Sequence, residues 1–157
     1  MTVTKRTIAA TLLVAVGLAA VFIVFRCNTR IALTDPADHQ AEFAKASMAY
    51  ARQCMFALHL YASDHQDVFP TNFDQVASFL PGARTQTNLT SEQFEIVYRG
   101  SFSQLTNTHN VIVIRQKEAW QSDDKTWHRA YGFADGHSEI RFEADGNFAP
   151  WEAQHRH

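Results

Sequence analysis

The feature that most constrains this chain is an apolar run of 18 residues, from Ile8 to Phe25. As a helix with a rise of about 1.5 Å per residue, the run would be about 27 Å long, close to the hydrocarbon thickness of a bilayer. The basic residues Lys5 and Arg6 precede it. A cleaved secretory signal shares this pattern, but no small-x-small cleavage site follows the run. We therefore predict a single, uncleaved transmembrane helix.

The rest of the chain is predicted to form one domain outside the cytoplasm. Residues 1–30 would form the N-terminal tail and anchor, and residues 31–157 a domain whose length suits one hydrophobic core. Basic residues flank the run on both sides, so their count does not decide the orientation. Because the N-terminal tail is short, we expect it to stay inside and the C-terminal domain to be translocated. We expect a single-pass protein of the inner (cell) membrane with an extracytoplasmic C-terminal domain.

The charge of the C-terminal part disfavours nucleic acid as a partner. All 16 acidic residues follow the apolar run, and no cluster of Lys and Arg is present to neutralise phosphates. The two cysteines, Cys27 and Cys54, fall at the predicted membrane surface and along a second helix. We expect two separate thiols, because a disulfide needs Cα atoms within about 7 Å, and we expect Cys54 to pack as a small apolar residue.

A second, amphipathic helix is predicted from Pro36 to about Asp64. Thr34 and Asp35 can cap its start, and proline suits the first helical position. Residues at three- and four-residue steps then form one stripe suited to covering a sheet: Phe43, Ser47, Tyr50, Cys54, Ala57, Leu58 and Tyr61.

The second half of the chain predicts a small antiparallel sheet. Residues 94–98 alternate in polarity, as in a half-buried strand, and residues 111–114 are all β-branched, as in a central strand beside it. A later pair of strands is joined at Asp135-Gly136, which predicts a two-residue type I′ turn. In the register of that turn, Tyr131 faces Ile140.

This arrangement resembles the type IV pilin and type II secretion pseudopilin superfamily. Residues 50–62 look like the segment after the anchor in bacterial pilin-like proteins with a C-terminal Asp-Gly motif, and residues 131–137 are similar to that motif. The resemblance implies an α+β fold with an N-terminal transmembrane helix and a long amphipathic helix packed on a small antiparallel β-sheet. The chain departs from prepilins, since no Gly precedes the apolar run and no acidic residue lies in it. We therefore predict that it is not processed as a prepilin.

The eight histidines of the chain make a metal site one candidate function. In the predicted register His128, His137 and Glu139 share the outer face of the hairpin, and imidazole with carboxylate suits zinc or another divalent ion. No tight ligand spacing is present, so we expect these residues and the motif Asp135-Gly136-His137 to be structural or solvated, with no cofactor. The same expectation holds for a set of oxygens that would suit calcium: Asp123, Asp124, Asp145 and Asn147.

No catalytic motif is present in the sequence. It has no Gly-x-Ser-x-Gly elbow and no phosphate-binding Gly loop, so we predict that the protein is not an enzyme. The first functional hypothesis is a membrane-anchored, pilin-like component of a secretion or surface-assembly system, which acts through protein contacts of its long helix and sheet. The alternative is an anchored extracytoplasmic module that binds a ligand or metal near the hairpin.

Overall fold

A computed structural model describes residues 36–80 and 89–156. In chain order, its elements are helix α1 (Pro36–Asp64), strands β1 (Phe94–Ile96), β2 (Ile112–Gln116), β3 (Trp120–Gln121), β4 (Trp127–Phe133) and β5 (Ser138–Glu143), and helix α2 (Ala149–Gln154). Short 3₁₀ turns lie between them, at Phe73–Val76, Ser91–Gln93, Phe102–Gln104 and Thr108–Asn110.

The predicted fold class requires a correction. No helix of the described ranges, 36–80 and 89–156, is long and apolar enough to cross a membrane. Helix α1 has 29 residues and a length of about 43 Å, but it is amphipathic, and its exposed side carries charged residues such as Asp38, Glu42 and Arg52. The described chain is an α+β domain without the transmembrane helix that was expected as part of the fold. The run Ile8 to Phe25, on which that expectation rested, lies outside the described residues.

The sheet is antiparallel throughout, as the sequence predicts. Its strand order is β1-β2-β4-β3, and β5 pairs with β4. Strand β4 is therefore central, with β2 along residues 131–133 and β5 along residues 127–132. The predicted neighbours β1 and β2 are confirmed, with Phe94 opposite Gln116 and Ile96 opposite Ile114.

Helix α1 covers one face of the sheet and the short helix α2 covers the other. The α1 side forms the larger core, in which Cys54, Met55 and Leu58 are fully buried. Gly132 marks the closest approach, since a Cβ there would lie 2.6 Å from Met55 Cγ and 2.8 Å from Ile114 Cγ1. The absence of a side chain at this position lets helix and sheet pack closely.

The second core lies between β4 and α2 and contains a buried acid. Phe148 packs with Tyr131 on this face. Glu152 of α2 is also buried and accepts hydrogen bonds from Tyr131 Oη at 2.8 Å, from Arg129 Nη1 at 3.1 Å and from Arg115. Two guanidinium groups thus compensate the charge of this carboxylate.

The turn between β4 and β5 is not the predicted type I′ turn. Gly136 has a positive φ of 90°, but Asp135 does not have a positive φ, and a type I′ turn requires it at both central residues. Gly136 N donates to Phe133 O at 2.8 Å, and Phe133 N donates to His137 O at 2.9 Å. These bonds define a three-residue loop in which a type I turn is followed by a glycine bulge.

The extra loop residue shifts the register of the hairpin by one position from the prediction. Tyr131 lies opposite Glu139 instead of Ile140, and Ile140 lies opposite Ala130. Because successive strand residues point to opposite faces, a shift of one residue moves the side chains of β5 to the other face relative to the prediction.

Candidate functional site

The most chemically distinctive site among the described residues lies at the β4–β5 turn. There the turn meets the 3₁₀ segment Thr108–Asn110, which precedes β2. Backbone hydrogen bonds join the two segments, from Asp135 N to Thr108 O at 3.2 Å and from Ala134 N to Val111 O at 2.9 Å. These bonds fix the position of His109 beside the Asp-Gly motif.

Three side chains converge at this point, and we call them the His-Asp-His cluster: His109, Asp135 and His137. Asp135 Oδ2 lies 2.9 Å from His109 Nδ1, and Asp135 Oδ1 lies 2.5 Å from His137 Nδ1. The backbone N of His137 also donates to Asp135 Oδ1, at 3.1 Å. Since an ionised carboxylate can only accept, each imidazole donates from a protonated Nδ1 in this arrangement.

The cluster keeps Asp135 ionised. Partial burial raises the pKa of Asp135, but hydrogen bonds from His109 and His137 outweigh burial and lower the pKa to about 2. The carboxylate is therefore negative at neutral pH.

Aromatic stacking orders the imidazole of His137. It stacks on Phe133, with ring centroids 4.2 Å apart, and on His109, with centroids 4.4 Å apart. The His137 side chain is 29% exposed and that of His109 is 71% exposed. The cluster thus has one partly enclosed imidazole, one that faces solvent, and a carboxylate between them.

A third histidine lies behind the turn. The ring of His59, from α1, packs edge-on against Phe69 and Phe102. Its Nε2 is buried and has no partner within ordinary hydrogen-bond geometry among the described residues. Burial lowers the pKa of His59, against the opposing effects of the Ala134 carbonyl and the Asp135 carboxylate. A neutral imidazole at this position is consistent with its apolar surroundings.

The structure separates the three residues that were considered as metal ligands from the sequence. His128 lies opposite Phe142 on the face of β4 that α1 covers, and its Nε2 lies 2.9 Å from Ser122 Oγ. Glu139 lies opposite Tyr131, on the other face. Only His137 of that set lies in the cluster, together with Asp135, whereas Gly136 supplies the positive φ of the turn.

The oxygens considered for calcium are engaged in local turns. Asp124 Oδ1 accepts from Thr126 N at 3.0 Å, and Asp145 Oδ1 accepts from Asn147 N at 3.0 Å. Asp123 Oδ1 instead accepts from Gln40 Nε2 at 2.7 Å, which ties its loop to α1.

His109 was not among the residues predicted from the sequence. Its place in the cluster depends on the pairing of β2 with β4, which brings together residues 26 positions apart. The predicted antiparallel sheet was the feature that could have indicated its position. In such a sheet the start of one strand lies beside the end of its neighbour, which places the segment before β2 beside the turn after β4.

A second surface of interest is the outer face of α1, away from the sheet. Phe56 on this face is 65% exposed, and Phe79, which follows the first 3₁₀ turn, is 45% exposed. Together with Arg52 and Gln53 they line a shallow groove, which we call the aromatic groove. Phe56 and Phe79 thus form a small exposed apolar patch beside α1.

No protein family, curated protein or solved structure that was compared with this chain matches it, so the resemblance to pilin-like proteins stays a prediction from the sequence.

Proposed function

We propose that this protein acts through protein contacts, as a pilin-like subunit of a secretion or surface-assembly system, and that the aromatic groove is its contact surface. The observation that carries the proposal is the exposure of Phe56 on the side of α1 that the sheet leaves uncovered. Cys54, two residues earlier, is fully buried against the sheet. A step of two residues is about 200° around a helix, so α1 has an apolar group on each of two opposite sides.

The two sides of α1 suit a subunit that is held in an assembly. One side belongs to the core of its own domain, and the other presents Phe56 and Phe79 to a neighbour. Full burial of one Phe side chain contributes about 1.5–3 kcal/mol. A partner that covers both rings would therefore gain about twice this amount in binding free energy.

We expect the occupant of the groove to be a helix of another subunit. A helix offers apolar side chains at three- and four-residue steps, which matches a shallow groove along α1. Arg52 borders the groove, so the partner helix should carry an acidic residue beside its apolar face.

Site-specific photo-crosslinking in the native host tests this proposal. A benzoyl-phenylalanine residue replaces Phe56 in the full chain, and the matched control carries it in place of Phe142, which is 61% exposed on the sheet. We expect the Phe56 position to give an adduct with a second copy of this chain or with another protein that has a long helix followed by an antiparallel sheet. The Phe142 position should not give that adduct.

Substitution adds an independent measurement. Phe56→Gln should abolish the adduct formed from a probe at Phe79, and it should leave the melting temperature nearly unchanged, because exposed substitutions rarely exceed about 0.5 kcal/mol. Equal adducts from the Phe56 and Phe142 positions, or an adduct only with a protein of another architecture, would refute the proposal.

A further inference from the structure

We propose that the His-Asp-His cluster, His109, Asp135 and His137, is a binding site for a divalent first-row transition metal, zinc being the expected ion. The site is independent of the proposed role in assembly and uses a different part of the domain. It also differs from the three residues considered as metal ligands from the sequence, since His128 and Glu139 are not members, and it departs from the expectation that no metal is bound.

The ligand atoms already lie at short range. One nitrogen of each imidazole and one carboxylate oxygen lie within 4.8 Å of one another. Around a tetrahedral zinc ion with bonds of about 2.0–2.1 Å, ligand atoms are about 3.3 Å apart. His109 Nδ1 lies 2.9 Å from Asp135 Oδ2, and His137 Nδ1 lies 2.5 Å from the other oxygen, Oδ1. Each separation is within about 1 Å of the tetrahedral value, and a small rotation of the carboxylate would bring one oxygen into a shared site with both nitrogens.

Hydrogen bonds hold the backbone around the cluster in place, whereas the side chains can still move by the small distances that ion binding requires. Asp135 N donates to Thr108 O, so the two loops that carry the ligands cannot separate without losing a hydrogen bond. The His137 ring is held between Phe133 and His109, whereas the His109 side chain is largely exposed and can rotate toward an ion. A site of this kind is preorganised in its backbone, which limits the entropy lost on binding.

The chemistry of the donors selects the class of ion. Two imidazole nitrogens and one carboxylate oxygen suit zinc and its first-row neighbours, whereas calcium and magnesium prefer oxygen ligands alone. Asp135 is ionised, so a bound cation would be attracted to an existing negative charge. On binding, each ligating Nδ1 gives up its proton, which moves to Nε2 of the same ring or to solvent.

Three protein ligands leave a tetrahedral ion with one open position. Water can fill this position, or a side chain from another molecule can do so, because His109 places the cluster at the surface. The structure therefore assigns to this turn an ion site that is accessible from solvent.

Titration calorimetry with Zn²⁺ alone tests the inference, on the full chain purified without a histidine tag and treated with chelator. We expect one ion per chain. His109→Gln and Asp135→Asn should each weaken binding by at least about tenfold, the lower end of the loss seen even for mutated outer-shell partners. The matched control is His65→Gln, because His65 is also exposed and its side chain contacts α1, through its Nδ1 and the Tyr61 carbonyl.

Folding of the variants is checked by thermal melting. His109→Gln is expected to melt near the parent temperature, since its side chain is mostly exposed, so a loss of binding in that variant reports the ligand. Absorption of added Co²⁺ gives a second readout, because a four-coordinate site has intense visible bands that the two cluster variants should lose. Absence of zinc binding, or binding that both cluster variants retain, would overturn the inference.

Discussion

Gly132→Ala should destabilise the domain by steric overlap between α1 and the sheet. The new Cβ would lie 2.6 Å from Met55 Cγ and 2.8 Å from Ile114 Cγ1, whereas apolar carbons pack at about 3.5–4.0 Å. Both neighbours are fully buried, so relief requires shifts of about 1 Å in a packed core. Overpacking of this kind typically costs about 1–3 kcal/mol.

A smaller effect opposes this cost. Replacement of Gly by Ala restricts the unfolded chain, which stabilises the fold by about 0.4–1 kcal/mol where the backbone conformation is compatible. Gly132 does not have a positive φ, so this gain applies. The overlap is the larger effect, and we expect a net loss of about 1–2 kcal/mol, measured by urea unfolding. A 2 kcal/mol loss would correspond to a melting temperature lower by about 4–8 °C.

A double-mutant cycle with Met55→Ala identifies the cause. Removal of Met55 Cγ eliminates the shortest overlap, so Gly132→Ala should cost at least about 1 kcal/mol less in that background. Gly136→Ala is the matched control: its Cβ would lie 3.9 Å from the His59 ring, and its expected cost of about 1–2 kcal/mol comes from the positive φ alone. That cost should not change with Met55→Ala. A Gly132→Ala protein that is as stable as the parent, or equally unstable in both backgrounds, would refute the steric argument.

Two further predictions concern buried titratable groups. Burial raises the pKa of Glu152, but hydrogen bonds from Tyr131 and the two arginines outweigh it and lower the pKa below 4.5, so its stabilisation is present above pH 4.5 and is lost as the pH falls. Glu152→Gln should cost about 1.5–3 kcal/mol at neutral pH and flatten the acid side of the stability curve; an unchanged acid side would contradict this. Burial, opposed by a hydrogen bond with Tyr50, raises the pKa of Cys54 to about 12, so a chain with Cys27→Ser should not react with thiol reagents until it is unfolded. Rapid labelling of the native protein would disprove this.

Elements that depend on local pattern were predictable from the sequence. Helix α1 ends at Asp64 and buries Cys54 because its apolar residues repeat at the helical period, which any folded context must satisfy. The strands at residues 94–96 and 112–116 pair as expected, because alternating or β-branched residues fit a pleated surface. The apolar run at the N-terminus predicted a transmembrane helix, which the described part of the chain does not contain.

The type of the hairpin turn was not decided by its sequence. Asp-Gly suits a type I′ turn, but Gly is equally required in a type I turn followed by a bulge. The second form fits here because Ala134 N donates to Val111 O and Asp135 N to Thr108 O, contacts with a distant segment. The resulting shift of one residue leaves His128 and Glu139 on opposite faces of the sheet.

Only two of the three residues of the candidate metal site could therefore be placed together from the sequence. Asp135 and His137 are two residues apart and share a turn, so their proximity follows from local geometry. His109 joins them only because β2 pairs with β4, a long-range contact whose register depends on the whole sheet. Local patterns fix which residues a turn can bring together, whereas the tertiary packing of two separate loops decided which third side chain completes the cluster.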